Sequence, residues 1–548
     1  MKTIYYAIQN IIRGKDSTIV KVVSLSLGLF LSIVLFARVA MELSYDTFYQ
    51  GHKQLHFVQT LWDFGKGGNP GIENSLYPTG PTIMQHFPEQ VESATVINSW
   101  WPVEFKHGER IYNGKDFLVA DSLFFQTMGI PLLEGNAKDL GMRNVIFMSQ
   151  SFAREVFGNE NPVGKTLLWN GKEQAIVKGI YADIPENNTF RGKAVLSMAS
   201  LDFRKDWFSG GSVSSVVRLK EGADMNFINE RINPILANYI PMEEYYTKLA
   251  QAKGIKVSLT PMDGYHLSFS KVRTMLYILS LLGFVLLISA AFNYALISIS
   301  SLAHRAKAIG VHKCSGAENG SIFAMFFWET SFVVFISVVI SVFLILNLNE
   351  QIEEVMEVST KSLFSWQNLW APLLAIATLF VIGCILPGRL FSSIPVTQVF
   401  RRYTEGKKRW KYPLLFVQFV GTAFLFGFVA VIYVQHHYVV TKEMGYDSDR
   451  VVYVQYPFEN PANAMSNLRN LPYVEGVGFS MQTLLYYGGT INVKVFEPND
   501  GKKFNSRIAQ YNDDFCRFMN IRLKAGKYHT NPNEILVNPA FVKAMGWT

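Results

Sequence analysis

The stretch SLAHRAKAIGVHKCSGA, Ser301–Ala317, decides how this chain is read. It lies between two long apolar runs, is basic, and is punctuated by Gly310 and Gly316. Within it, Ala308-Ile309-Gly310-Val311-His312-Lys313 sets apolar against basic side chains over about two helical turns. A short amphipathic helix held between two membrane spans cannot bury a core of its own. Two uses fit such a segment. It is gripped by something on the cytoplasmic side, or it serves as a positively charged loop that sets orientation.

The flanking runs are long. Thr274–Ala303 carries no charge, Ser321–Asn349 carries one (Glu329), Ser362–Pro387 carries none, and Tyr412–Val434 follows a basic linker. Each exceeds the roughly 20 residues that cross a hydrocarbon layer of about 30 Å. Val22–Ala37, bounded by Lys21 and Arg38, adds a first span. It is read as uncleaved, because Arg38 would stand where a small residue is needed before Ala40. Arg38 is expected to snorkel to the outer surface. Residues 1–18, with Ile4, Ala7, Ile8, Ile11 and Ile12 on one face, fit an interfacial amphipathic helix or a plain extension of this span.

Only 17% of the 548 residues are charged, against about 25% in soluble domains. The net charge of +8 sits in short loops beside apolar runs, which points to membrane orientation and not to nucleic acid. Lys2, Arg13, Lys15 and Lys21 precede the first span. Arg305, Lys307 and Lys313 lie in the 301–318 loop, and seven Lys or Arg in 389–411. The loop between the third and fourth spans is acidic, with Glu350, Glu353, Glu354 and Glu357. Five spans with the N-terminus inside put every basic loop in the cytoplasm and both large polar regions outside. Cys314, Cys384 and Cys516 show no disulfide or zinc spacing.

The fold class expected is an α-helical membrane protein with extracytoplasmic α+β domains and five spans. Residues 1–41 are an N-terminal helix and first span, 42–270 an outer domain, and 271–392 three spans around a 301–318 coupling segment. Residues 393–411 are a basic linker, 412–435 a fifth span, and 436–548 an incomplete second outer domain. In the first outer domain Val213–Lys220 alternates as a strand, Met225–Ile240 has helical spacing, and Ile255–Thr260 alternates again. Val451–Gln455 is a strand-like patch in the second.

The chain repeats itself. Phe124, Met128, Ile130, Leu132 and Gly135 recur 391 positions later as Phe515, Met519, Ile521, Leu523 and Gly526. Ile146 and Phe152 recur as Ile535 and Phe541, and Tyr45-Asp46 as Tyr446-Asp447. Completing the second copy takes a chain of about 800 residues, so the sequence is expected to be C-terminally truncated.

Catalytic chemistry finds little support. Gly158–Thr166, GNENPVGKT, resembles a phosphate loop but has five residues where four are required, and it falls outside the membrane in this topology. A turn leading into a strand at Thr166–Trp169 explains its Gly and Pro. His436-His437 reads as interfacial, Trp100-Trp101 as core, and Phe326-Phe327-Trp328, Trp366 and Trp370 as lipid-facing or belt residues. Glu329 is an intramembrane acid, costly at about 3 kcal/mol even on insertion scales. It pairs with a base of the 301–318 loop or of another helix, or it stays solvated at interface depth.

The chain resembles a MacB/FtsX-type ABC transporter permease in its two-repeat form. The residues that carry this are Ala306–Ala317, AKAIGVHKCSGA, with Phe326–Thr330; the turn FGNENPVGKT, Phe157–Thr166; Asp121–Gly135; and Ile394-Pro395-Val396. His312 and Cys314-Ser315 depart from the family's commoner choices. The resemblance implies a MacB-like periplasmic core domain and a non-catalytic subunit that binds no cofactor. ATP is then bound by a separate cytoplasmic ABC ATPase, which pushes on Arg305, Lys307, Ile309, Gly310, Val311, His312, Lys313, Gly316 and Ala317. It implies mechanotransmission to an unidentified extracytoplasmic client at a bacterial cytoplasmic membrane, with a second permease copy as a further partner. The alternative is a membrane-anchored regulator that switches a periplasmic enzyme or sensor; a membrane enzyme has no catalytic set to support it.

Overall fold

The computed structural model describes residues 15–63, 74–99, 103–113, 116–171, 173–203, 205–208, 213–242, 254–300, 309–392, 411–443, 445–447, 449–452, 461–478, 480, 492–496, 504–508, 511, 513–528, 531 and 534–547. Arg305, Lys307, Trp100-Trp101, residues 1–14 and most of 393–411 lie outside them. Among the described residues, five helices are long and apolar enough to cross a bilayer. In chain order, the first to fifth spans are Lys15–Leu43, Ser270–Ser300, Asn319–Asn347, Trp370–Ser392 and Lys411–Thr441. The chain is an α-helical membrane protein with an α+β domain, and it divides into two compact units.

The first unit holds the first four spans, the fifth as far as Phe428, and the sheet domain inserted between the first two. The spans pack through one apolar cluster that includes Leu25, Leu29, Ile33, Leu287, Ala291, Val333 and Leu379. Small residues let the backbones approach: a Cβ placed on Gly28 would lie 2.5 Å from the Cβ of Ala290. Hydroxyls add interhelical bonds where no water competes. Ser32 Oγ donates to the Gly283 carbonyl at 3.2 Å, and Ser341 Oγ to the Ser26 carbonyl at 3.0 Å.

Three expectations change here. The fourth span begins at Trp370 and not near Ser362. Residues before it form a capped turn, Thr360–Leu363, with Ser359 Oγ accepting from the Ser362 amide, and a 3₁₀ turn, Trp366–Asn368. Polar Ser362, Ser365, Gln367 and Asn368 break the apolar run, and buried Asn368 donates to the Ser362 carbonyl. Arg38 does not snorkel free; its Nη2 is 2.6 Å from Glu42 Oε1, one turn on. Phe326 does not face lipid but packs with Ile309, Ile322 and Cys384.

The sheet domain has twelve strands: β1 Leu55–Asp63, β2 Val91–Asn98, β3 Glu104–His107, β4 Arg110–Asn113, β5 Phe117–Ala120, β6 Leu132–Gly135, β7 Val145–Ser149, β8 Thr166–Trp169, β9 Glu173–Tyr181, β10 Ala194–Ser197, β11 Ser214–Leu219 and β12 Gly254–Pro261. Their order is β12-β1-β11-β2-β5-β10-β7-β9-β8-β3-β4, with β6 paired to β9. β5–β10 and β7–β9 are parallel and the other pairs antiparallel. The strand–helix–strand pattern read from 213–260 is present as β11, the helix Met225–Leu236 and β12. All six residues of β11 are buried, because helices lie against it on both faces. Asn229 and Asn233 explain the seating of the helix beside β12: each side chain exchanges two hydrogen bonds with that strand's backbone, at Leu259 and at Val257. Gly158-Asn159-Glu160-Asn161-Pro162 is a turn into β8, closed by a Lys165–Glu160 ion pair.

The second unit is described more sparsely: a hairpin of Asn492–Phe496 and Phe504–Ile508, and short helices that include Asp513–Phe518 and Pro539–Met545. Its local devices repeat those of the first unit. The Phe124–Met128 helix ends at left-handed Gly129, with the Ile130 amide on the Phe125 carbonyl. At the 391 offset, Asn520 is left-handed and the Ile521 amide binds the Cys516 carbonyl. Likewise Ser149 caps the Phe152 amide, and Asn538 caps Phe541.

Candidate functional site

The described part of the basic segment is a helical turn over residues 309–314, ended by left-handed Gly316. The Ala317 amide binds the His312 carbonyl and the Gly316 amide binds the Lys313 carbonyl, both at 3.0 Å. This pair of bonds closes a helix whose next residue must take a positive φ, here +89°, which explains the Gly-Ala pair by local geometry. Nothing crowds a Cβ at this glycine, so only its backbone is constrained. Gly316→Ala is expected to destabilise this cap by about 1 kcal/mol; faster amide exchange at Gly316 and Ala317 reads it.

The turn is seated by its apolar side. Ile309 and Gly310 are buried, Ile309 against Ile322, Phe326 and Cys384 of the third and fourth spans. Lys313 reaches across: its Nζ donates to the Ser392 carbonyl at 2.8 Å, at the C-terminal end of the fourth span, where the helix dipole favours a cation. Lys313 thus anchors the segment. Val311, 62% exposed, and Cys314 face away from the bundle.

One level deeper lies Glu329. It is 3% exposed and faces Lys21 of the first span, 1% exposed, with Nζ 3.6 Å from Oε1. Tyr294 of the second span closes the group. Its ring lies under Lys21 Nζ at 5.6 Å, and its hydroxyl donates to Thr330 Oγ1 at 3.0 Å. Lys21 counts in sequence as one of the basic residues ahead of the span; the structure buries it within the helix bundle. An isolated acid inside an apolar run requires a buried cation, and that was the signal available. Among the described residues, no group of three or more His, Cys, Asp and Glu is placed to hold a metal ion.

At the other end of the bundle the spans join the sheet domain. Glu42, buried at the end of the first span, accepts from Arg38 and lies 2.5 Å from His266 Nε2, just before the second span. The His266 ring stacks on Tyr45 at 3.6 Å between centroids. Burial pushes the Tyr45 hydroxyl above the ordinary phenol range, opposed by a hydrogen bond from Arg191. Sequence reading named neither Glu42 nor His266, since nothing local to either shows that 224 residues later in the chain the two meet.

Residues 280–396 match the model of the FtsX-like permease C-terminal family. Over 259 residues the chain is 23% identical to the macrolide export ATP-binding/permease protein MacB of Aggregatibacter actinomycetemcomitans. That alignment covers 45% of this chain and 38% of the relative, so the chain spans well under half of that protein's length. Among solved structures, a domain assigned to a permease of Porphyromonas gingivalis aligns at 20% identity and a TM-score of 0.33, over 39% of this chain and 92% of that one. The periplasmic region of MacB from Actinobacillus actinomycetemcomitans aligns at 16% identity and a TM-score of 0.28, over 39% and 91%.

Proposed function

From the premise that the chain is a permease of the MacB/FtsX type, we propose that it couples a separate cytoplasmic ABC ATPase to work done by its sheet domain on an extracytoplasmic client. The observation that carries this reading is the seat of the 309–317 turn. It is anchored to the third and fourth spans by Ile309 and Lys313, while Val311 is left exposed for a partner. A push on the turn meets a packed bundle, since the third span is tied to the first by Lys21–Glu329 and by Ser341 on Ser26. The first span then runs without a break to Leu43 and the sheet domain. Tightly packed elements transmit displacement because their interiors resist compression.

In this reading the basic loops face the cytoplasm of a bacterium, the sheet domain lies outside the cytoplasmic membrane, and ATP is bound by the partner. A small P-loop ATPase is expected to co-purify with the chain. Val311→Asp should cut its recovery about tenfold, as for a lost apolar contact replaced by a buried charge. Lys307→Glu with Lys313→Glu should act in the same direction, Lys313 by unseating the turn. Unchanged recovery in both variants would remove this interface. Movement of a client that requires ATP hydrolysis, and not mere binding, separates a transporter from a membrane-anchored regulator.

A further inference from the structure

The apolar core of the spans and that of the sheet domain's nearest layer are separate clusters. The first takes in Ile352, Val358 and Leu363 from the segment 348–369, between the third and fourth spans; the second contains Tyr49, Phe57, Phe190 and Tyr265. Hydrogen bonds join the two. Asn187 of the sheet domain donates through Nδ2 to the Ser44 carbonyl at 3.0 Å and to its Oγ at 2.9 Å. Ser44 Oγ in turn donates to Asn368 Oδ1 at 2.8 Å, and Asn368 Nδ2 to the Ser362 carbonyl at 3.0 Å. Beside this chain, the Ser359 amide donates to Glu186 Oε2 at 3.0 Å. Asn187 and Asn368 are buried, so these bonds are shielded from water.

The chain turns at Asp46, a non-glycine residue with φ +60°. Asp enters that conformation more readily than most residues, and here long-range bonds hold it there: Asp46 accepts from Thr189 N at 2.7 Å and Thr189 Oγ1 at 2.6 Å. Its own amide binds the Asn187 carbonyl at 2.9 Å. A few directional bonds over such a pivot can be exchanged for others when each freed group meets water or a new partner as the domain hinges, whereas an interdigitated apolar contact has no such substitute.

We infer that Asn187, Ser44, Asn368 and the Glu186–Ser359 contact form a releasable latch, closed in this structure, that holds the sheet domain to the segment between the third and fourth spans, with Asp46 as pivot. The role of the latch in the working cycle rests on the proposed coupling to an ATPase; its existence as one cooperative unit does not. Asn187 and Asn368 act here as positioning residues.

Hydrogen exchange of the full chain in lipid nanodiscs tests the unit first. Asn187→Ala and Asn368→Ala each should raise exchange about tenfold at the Ser359 amide, which neither side chain contacts, while β10 stays protected. Unchanged exchange at Ser359 in both variants would show independent contacts and overturn the latch. The complex with the co-purified ATPase tests release: exchange at Ser359 and Thr189 should rise in the vanadate-trapped state relative to the nucleotide-free state. Equal exchange in the two states overturns release during the cycle. Failure of any ATPase to co-purify would count against the coupling and leave the nanodisc comparison to decide the latch.

Discussion

Lys21→Met is expected to destabilise the four-span bundle by about 3–5 kcal/mol, the cost of leaving a buried charge without its partner. Glu329 is almost wholly enclosed by protein, so its carboxylate cannot reach water or headgroups once the ammonium at 3.6 Å is gone. The Tyr294 ring, which favours a cation above its face, cannot compensate a carboxylate. Glu329→Gln alone should be costly for the mirrored reason, since Lys21 is equally enclosed. The double replacement Lys21→Met with Glu329→Gln removes both charges and should recover most of the loss. Thermal unfolding of the parent chain and the three variants in one detergent gives the coupling energy directly. A double variant no more stable than either single one would mean that the pair does not hold the spans together.

Gly28→Leu should damage the same bundle from its other side, by about 3 kcal/mol. The first and second spans meet there at backbone distance, and even the first carbon of a side chain would stand 2.5 Å from Ala290 Cβ. Neither helix can yield locally: Ser32 bonds the Gly283 carbonyl two turns away along the second span, and Phe36 packs on Gly283 itself. The spans must separate, which breaks apolar packing and the Ser32 bond together. Gly28→Ala should show a smaller loss, and Ala290→Gly should rescue it by vacating the space the new methyl takes. The melting temperatures of the two singles and the double check this, and an unrescued Gly28→Ala would place the strain elsewhere.

These two sites show how far a linear reading reaches. Glu329 stands out in sequence because an acid within an apolar run has no local solution. Gly28 does not stand out at all, being one small residue within VSLSLGLF. The basic segment divides in the same way. Gly316 and Ala317 follow from the needs of a helix end, which are local. The orientation of Lys313 toward Ser392, 79 residues away, depends on how the third and fourth spans are brought together. The polar break before Trp370 was also hidden, because Phe364, Trp366 and Leu369 kept the surrounding window apolar while Ser44 and Asn368 decided the turn.

What the sequence determined by itself is whatever one segment settles alone. The existence of five membrane-crossing segments, the strand–helix–strand of 213–260 and the caps at Gly316, Ser149 and Asn538 are of this kind, since a bilayer's thickness and a helix's unsatisfied ends act on consecutive residues. The tertiary structure alone decided which polar group meets which: Lys21 with Glu329, Glu42 with His266, Asn187 with Ser44. Those choices depend on the rotation and register of whole helices against one another, which packing of the entire bundle fixes and no short window of residues encodes.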